Sequence, residues 1–480
     1  MRVLIINPPW EGKGYGTRSQ NRIIKQRGDK YLQYPIFLGY TAAQLKKSGH
    51  DVFYIDSVVQ EIDQKITDER IEAIKPDVIF TETTTPSIES DYKSINHMKK
   101  KTGAIMIAAG PHVTYFPIES LEQCPGLDII IKNEFDTKIN GVLDNLLNLG
   151  QVKGIAYREN GKAVDTGEGE FCENLDKLPF PDRDTVPYEW YLEAWYSKKP
   201  FINLMTSRGC PYQCTFCLWP HTMYGHKQRM RSVDNVVDEL KHVISRYKVK
   251  EVNIDDDTFT TIKKRVIEFC QKLRDNNIHL LWTCNGRVDH VDEEMLKEMK
   301  ASGCKMIRYG VESGSPEVLE KIRKGITLEQ VEKAIKLTKK TGIQALAGFM
   351  FGFPWDSRES IEATINLAKR ISPDMVQFSI PMPYPGSRLY QEAKEQGLII
   401  AKEWKEWDMT YGPVVQTIDM TREELAPILS RVYREFYFRP HYLIQTLGNI
   451  TDYYEMKRVL RSLLSLLSTI RFQRHSKSTC

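Results

Sequence analysis

Cys210, Cys214 and Cys217 stand in the run Arg208-Gly209-Cys210-Pro211-Tyr212-Gln213-Cys214-Thr215-Phe216-Cys217, a C-x3-C-x2-C spacing with no fourth cysteine close by. Three thiolates hold three irons of a 4Fe–4S cluster and leave the fourth iron open to a ligand. Structural zinc sites close a four-ligand shell instead. Two other readings stand beside this one. The thiols are buried packing groups, since free cysteine behaves as a small hydrophobe, or they bind zinc with His221 or His226 as fourth ligand. Gly209 and Pro211 suit a loop that turns sharply around a metal. The incomplete triad therefore points to a cluster that does chemistry at its vacant iron.

Such a loop needs a rigid support. The strand-like run from Phe201 to Thr206 delivers it at a strand's C-terminal end, where barrel folds place their chemistry. From there to about Pro385, strand and helix patterns alternate. The strands read as 201–206, 250–254, 280–284, 305–309, 345–350 and 375–380, with helices near 232–247, 262–275, 292–301, 315–323, 327–341 and 357–371. Six such units predict a partial parallel (β/α)6 barrel.

The cysteine run closely resembles the signature of radical S-adenosylmethionine (SAM) enzymes, with Phe216 matching the aromatic of that pattern, whose backbone lies near the adenine. The resemblance continues along the barrel and implies further SAM contacts. Asp255, Asp256 and Asp257 follow the second strand. Adjacent carboxylates repel unless a cation is near, and in related enzymes an acidic group here meets the SAM ammonium. A helix N-cap is the other role for this run, filled by a different aspartate. Asn285 and Arg287 end the third strand, and Arg287 offers a two-point contact to the methionine carboxylate. Glu312, after the fourth strand, suits ribose hydroxyls or the ammonium. Gly348 and Gly352 on the fifth let adenine approach backbone amides. Pro383-Tyr384-Pro385-Gly386-Ser387 matches the loop closing the sixth strand.

The first third also alternates strand and helix, which predicts a Rossmann-like, doubly wound parallel sheet. Ligands bind such sheets beyond the strands' carboxyl ends. The loops there are Asn7-Pro8-Pro9, Thr81 to Ser87, Gly110-Pro111-His112-Val113-Thr114 and Asn133-Glu134-Phe135-Asp136. This layout resembles the cobalamin-binding domain that precedes many radical SAM barrels. The contacts it implies are Pro8, Pro9, Thr83, Thr85, Ser87, Gly110, Pro111, His112 and Glu134. Without the resemblance, the threonine cluster reads as a solvated turn and His112 as a surface histidine. Cobalamin mutases carry an Asp-x-His-x-x-Gly loop that ligates cobalt, but here Asp56 is followed by Ser57, Val58 and Val59. Either cobalamin binds without a protein histidine ligand, or the domain shapes the substrate site alone.

The expected organisation is a cobalamin-binding-like domain over 1–150 and a linker with a hairpin over 151–195. The barrel follows over 196–390, and a helical C-terminal region over 391–480. In the tail, Trp404, Trp407 and Tyr411 read as lid or core aromatics. Met456 to Phe472 reads as a basic amphipathic helix, with no acidic residue after Glu455. It either lies in an anionic membrane interface or packs on the barrel.

The formal net charge of +4 over 480 residues excludes a polycation built for nucleic acid. No window approaches the roughly 20 apolar residues of a spanning helix. Met1-Arg2 leads directly into a strand, and the other cysteines are dispersed, which suits a reducing cytoplasm. Around the triad, Cys217-Leu218-Trp219-Pro220, Gly225-His226 and Arg229-Met230-Arg231-Ser232 resemble the radical SAM proteins that build the cyclitol ether head group of bacterial hopanoids. The anaerobic magnesium-protoporphyrin cyclases are a more distant likeness. The resemblance implies reductive cleavage of SAM to a 5′-deoxyadenosyl radical, with electrons from a flavodoxin- or ferredoxin-type donor. That radical takes hydrogen from an unactivated carbon, for rearrangement or cyclisation of a lipid-linked polyol head group. Cobalamin-dependent C-methylation is the alternative, and a porphyrin cyclase or a non-enzymatic cobalamin or metal sensor is more remote. The tRNA methylthiolases bring further N-terminal cysteines, whereas residues 1–123 here contain none.

Overall fold

The computed structural model describes residues 1–10, 16–19, 32–193, 196–408, 412–440, 442–444, 456 and 460. Its first sheet has seven strands in the order β2-β1-β3-β4-β5-β6-β7. They are β1 (Arg2–Asn7), β2 (Asp51–Asp56), β3 (Val78–Glu82), β4 (Ile105–Ala109), β5 (Ile129–Ile131), β6 (Ile155–Glu159) and β7 (Lys162–Asp165). The first five run parallel. Helices α1 (Ile36–Lys47), α2 (Gln64–Ile74), α3 (Ile88–Thr102), α4 (Pro111–Tyr115), α5 (Pro117–Gln123) and α6 (Phe135–Asp144) connect and cover them.

Residues on β1 alternate between the two faces. Val3 and Ile5 join the core under α1 and α6, while Leu4 and Ile6 join a second core with Ile88 and Ile95 of α3. Both faces are thus covered, as an all-apolar parallel strand requires. Helix α2 begins at Gln64, earlier than its apolar pattern suggests, because the Asp63 side chain accepts a hydrogen bond from Ile66 N.

The hairpin expected in the linker forms, turning through Asn160 (φ 49°) and Gly161 (φ 81°). It pairs antiparallel with β5 and so extends the first sheet. The strand order reverses direction between β1 and β3, which places the ligand crevice beyond Asn7 and Glu82.

The second sheet is all parallel, in the order β15-β14-β13-β12-β11-β8. Its strands are β8 (Phe201–Leu204), β11 (Glu251–Ile254), β12 (Leu281–Gly286), β13 (Cys304–Glu312), β14 (Gln344–Met350) and β15 (Met375–Ser379). Sequential order with an open edge at each end is the partial barrel. A two-stranded ribbon, β9 (Ser207–Arg208) with β10 (Arg229–Met230), stands beside the mouth. The outer helices are α7 (Val233–Tyr247), α8 (Lys263–Asp275), α9 (Glu293–Ala301), α10 (Pro316–Lys321), α11 (Leu328–Lys340) and α12 (Arg358–Ile371).

One apolar core runs from β1 through α1 and Tyr224 into the barrel, and Phe37 and Tyr224 pack with ring centroids 5.4 Å apart. The two domains are therefore welded rather than tethered. Beyond the barrel come α13 (Arg388–Glu395) and α14 (Arg422–Tyr437). The hydroxyls of Tyr433 and Tyr437 bond the backbone of Phe378 and Val376, covering the free edge of β15. Tyr411 and most of the expected amphipathic helix lie outside the described residues. Among the described residues, no helix is long and apolar enough to cross a membrane.

Candidate active site

The three cysteines lie on the loop between β9 and β10. Asp256 secures its root: Oδ1 accepts from the amides of Thr206 (2.6 Å) and Ser207 (3.0 Å), and Oδ2 from their hydroxyls (2.6 and 2.7 Å). Gly209 then turns with φ 88°, and a Cβ there would stand 2.3 Å from the Lys227 carbonyl oxygen, so only glycine fits. The loop is pinned to the barrel where Thr215 N donates to Ile322 O (3.0 Å) and Thr215 O accepts from Leu389 N (2.8 Å).

All three thiols are free. Burial, then the Asp257 carboxylate and the Cys214 thiol, pushes Cys210 up to about 11. Burial likewise raises Cys214 and lifts Cys217 well above its usual value. Protons leave such thiols readily only when a metal replaces them. Three sulfurs within electrostatic reach of one another, on one pinned loop, fit a cluster. Among the described residues, no three His, Cys, Asp or Glu side chains close around a single ion. His221 and His226 instead pack against each other, ring centroids 4.9 Å apart.

The predicted SAM contacts divide. Both carboxylate oxygens of Asp256 are engaged by the root of the cysteine loop. Asp255 accepts from Gln33 Nε2 and lies 3.8 Å from Arg308 Nη2. Asp257 alone of the three is half-buried, and its charge acts on Cys210 and Cys217. Asn285 donates to Asp256 O (2.7 Å) and accepts at its own carbonyl from Phe259 N (2.9 Å), bracing the acidic loop.

Arg287 is engaged within the protein. It grips Asp289 through two 3.0 Å bonds and donates to Lys324 O (2.9 Å). It also stacks 3.6 Å from the Tyr212 ring centroid. Glu312 ends β13 with φ 70°, a left-handed conformation unusual for a side-chain-bearing residue and a marker of functional sites. Its Oε1 receives Lys324 Nζ at 2.7 Å, beside Cys214. Lys324 was not anticipated; only its place after α10, not a motif, brings it there.

Phe216 packs against Phe353 at 6.0 Å. Gly352 (φ 95°) donates its amide to Asp356 Oδ2 (2.9 Å). Gly348 has open room, with its nearest neighbour, Tyr309 O, 3.6 Å from a built Cβ.

The first domain meets this site. Pro8 is buried and Pro9 half-buried beyond β1. Thr83, Thr85 and Ser87 are fully buried, not a solvated turn. Thr83 bonds Ala109 O through its hydroxyl (3.0 Å), and Ser87 bonds Asp91 (2.5 Å). Gly110 takes φ 118° because a Cβ would stand 2.1 Å from Thr83 O, and Pro111 opens α4. His112 is buried, and burial pushes it down to about 3, so it is neutral. Its Nδ1 lies 3.3 Å from Thr85 Oγ1 and its ring packs on Trp404.

Glu134, expected among the corrin contacts, has charged partners from the second domain. Its carboxylate receives Arg208 (3.2 Å) and Arg229 (2.8 and 2.9 Å), while Asp136 receives Arg208 at 3.1 and 2.6 Å. All four charged groups are buried. They lock the first domain to the root of the cysteine loop. The arginines were visible in the quoted runs, but a pairing across 72–95 positions leaves no local signal.

The model of the radical SAM superfamily matches residues 204–368, and that of the B12 binding domain residues 30–143. An uncharacterized methyltransferase of Pyrococcus horikoshii is 33% identical, over 97% of this chain and 98% of its own length. The anaerobic magnesium-protoporphyrin IX monomethyl ester cyclase of Rubrivivax gelatinosus is 27% identical over 92% of this chain and 78% of its own. The radical SAM methyltransferase TsrM of Kitasatospora setae shares the fold, with a TM-score of 0.72 at 16% identity, covering 100% of this chain and 99% of its own. The matched domains make a 4Fe–4S cluster, SAM and cobalamin the cofactors of this enzyme. The chain belongs to the radical SAM superfamily, among the members that carry a B12-binding domain ahead of the radical SAM domain.

Proposed function

We propose that the protein is a cobalamin-dependent radical SAM methyltransferase acting at a carbon centre. The observation that carries this reading is the 33% identity to a methyltransferase across 97% of the chain, both domains included. The buried Glu134–Arg208 contact supports it, since methyl transfer needs two cofactors to face one crevice and this contact holds the two domains together.

SAM and cobalamin, when bound, supply the radical and the methyl group. The chain's own residues position and protect. Cys210, Cys214 and Cys217 hold the cluster, with electrons drawn from a flavodoxin- or ferredoxin-type donor. Asp257 stands beside those sulfurs to receive an ammonium, and the Glu312–Lys324 pair lies beside Cys214. The shared apolar core keeps bulk water from between the domains.

Rearrangement of a lipid-linked polyol head group, the first expectation, gains nothing from the relatives. The cyclase of Rubrivivax gelatinosus favours ring closure as a second reading. Anaerobically reconstituted protein, given methyl-labelled SAM and a cell extract, separates them. Methyl transfer yields S-adenosylhomocysteine and a labelled product. Formation of 5′-deoxyadenosine with no S-adenosylhomocysteine contradicts the proposal.

A further inference from the structure

Glu82 is the last residue of β3, at the point where the first sheet reverses its winding. By strand alternation it shares a face with Val78 and Phe80, the face covered by α1 and α6 and touched by Tyr224 of the radical SAM domain. It is 1% exposed. Its Oε2 accepts from Ser19 Oγ at 2.6 Å, and among the described residues no donor is bonded to Oε1. Among the described residues, no cation forms an ion pair with it. Arg18, whose charge acts on Glu82, is held by Asp91 at 2.7 and 2.9 Å. Asp136, already engaged by Arg208, adds a like charge, and Tyr224 faces it from the barrel side. A carboxyl buried this deeply with one open oxygen is costly unless something uses it.

We propose that Glu82 is a cobalamin-recognition residue whose carboxyl pairs with a primary carboxamide on the corrin rim. The chemistry is complementary. A carboxylic acid donates through O–H to an amide carbonyl and accepts from the amide N–H, forming two hydrogen bonds in one plane. An ionised carboxylate only accepts, and would bring an unpaired charge into a buried crevice. The environment favours the acid form: burial, then Asp136, raises Glu82 to about 7 against the pull of Ser19 and Arg18. This inference rests on the assignment of cobalamin as a cofactor and adds the residue that reads it.

Methylcobalamin is a suitable probe, because its alkyl ligand does not titrate. Its dissociation constant is measured with purified wild-type protein, Glu82→Gln and Glu82→Ala at pH 6 and pH 8, by quenching of intrinsic fluorescence. Wild type binds about tenfold more weakly at pH 8, as the acid form is depleted through a midpoint of about 7. Glu82→Gln, which keeps a donor and an acceptor at every pH, binds tightly and loses the pH dependence. Glu82→Ala binds about tenfold more weakly than wild type at pH 6. Unchanged cluster absorbance in each variant shows that the fold is intact. A pH dependence that persists in Glu82→Gln, or an alanine variant that binds like wild type, overturns the role of Glu82 and leaves the cofactor assignment standing. Failure of wild type to bind at either pH overturns both.

Discussion

Glu134 of the B12-binding domain meets Arg208, two residues before Cys210, at 3.2 Å in a fully buried contact. Burial alone would raise the Glu134 carboxyl, but Arg208 and Arg229 outweigh it and hold the group below its usual value. The cysteine loop is thereby built on the neighbouring domain as well as on its own barrel.

Breaking that contact has a large effect. Arg208→Ala leaves Glu134 and Asp136 with one arginine between them, in a buried site. We expect a loss of about 3–5 kcal/mol in unfolding free energy, measured by anaerobic denaturant titration, together with lower iron content per chain. Because the folded pKa of Glu134 is depressed, its stabilisation is present above the unfolded value and is lost as pH falls through the folded one.

Gly209→Ala tests the turn itself. The positive φ costs roughly 1–2 kcal/mol for a side-chain-bearing residue, and the added Cβ must push the Lys227 carbonyl away. The expected outcome is a folded protein that takes up less iron on reconstitution, read from the ratio of iron to protein. Full cluster content would show that the loop adapts.

Glu312→Ala removes the partner of buried Lys324 beside Cys214. SAM affinity, measured by equilibrium dialysis against the reconstituted protein, is expected to fall about tenfold or more, while iron content stays near wild type. Equal losses in both would mark the pair as scaffolding alone.

His112 supplies a pH signature. Its folded value is pushed down to about 3 by burial, whereas the unfolded ring titrates near its ordinary value. The unfolded chain therefore binds the extra proton, and stability falls on acidification below about pH 6.5. Between pH 6.5 and pH 5 the ring contributes a loss of roughly 2 kcal/mol. The His112→Phe variant, compared with wild type over that range, is expected to lose correspondingly less stability, and comparison of the two cancels the opposite trend from Glu82.

The sequence made the framework legible because its signals are local. Apolar runs such as Val3–Ile6 and the proline and glycine stops mark strands without reference to distant residues, and the cysteine spacing carries its own chemistry. The side-chain roles were less legible. Asp256, Arg287 and Glu134 have the residue types expected of ligands, but each is engaged by a protein partner. Asp256 bonds the Thr206–Ser207 turn, Arg287 grips Asp289, and Glu134 crosses between domains. A charged residue at a strand end serves a ligand or a neighbouring loop equally well, and only tertiary contacts decide which. The hairpin shows the same limit: Asn160-Gly161 predicted its turn, but nothing local named β5 as its partner.

The most direct test is reductive SAM cleavage by wild type and Cys210→Ala, each purified and reconstituted without oxygen. The account predicts that wild type carries a 4Fe–4S absorbance and releases 5′-deoxyadenosine, and that the variant loses both. A variant with wild-type iron content and undiminished 5′-deoxyadenosine would contradict it.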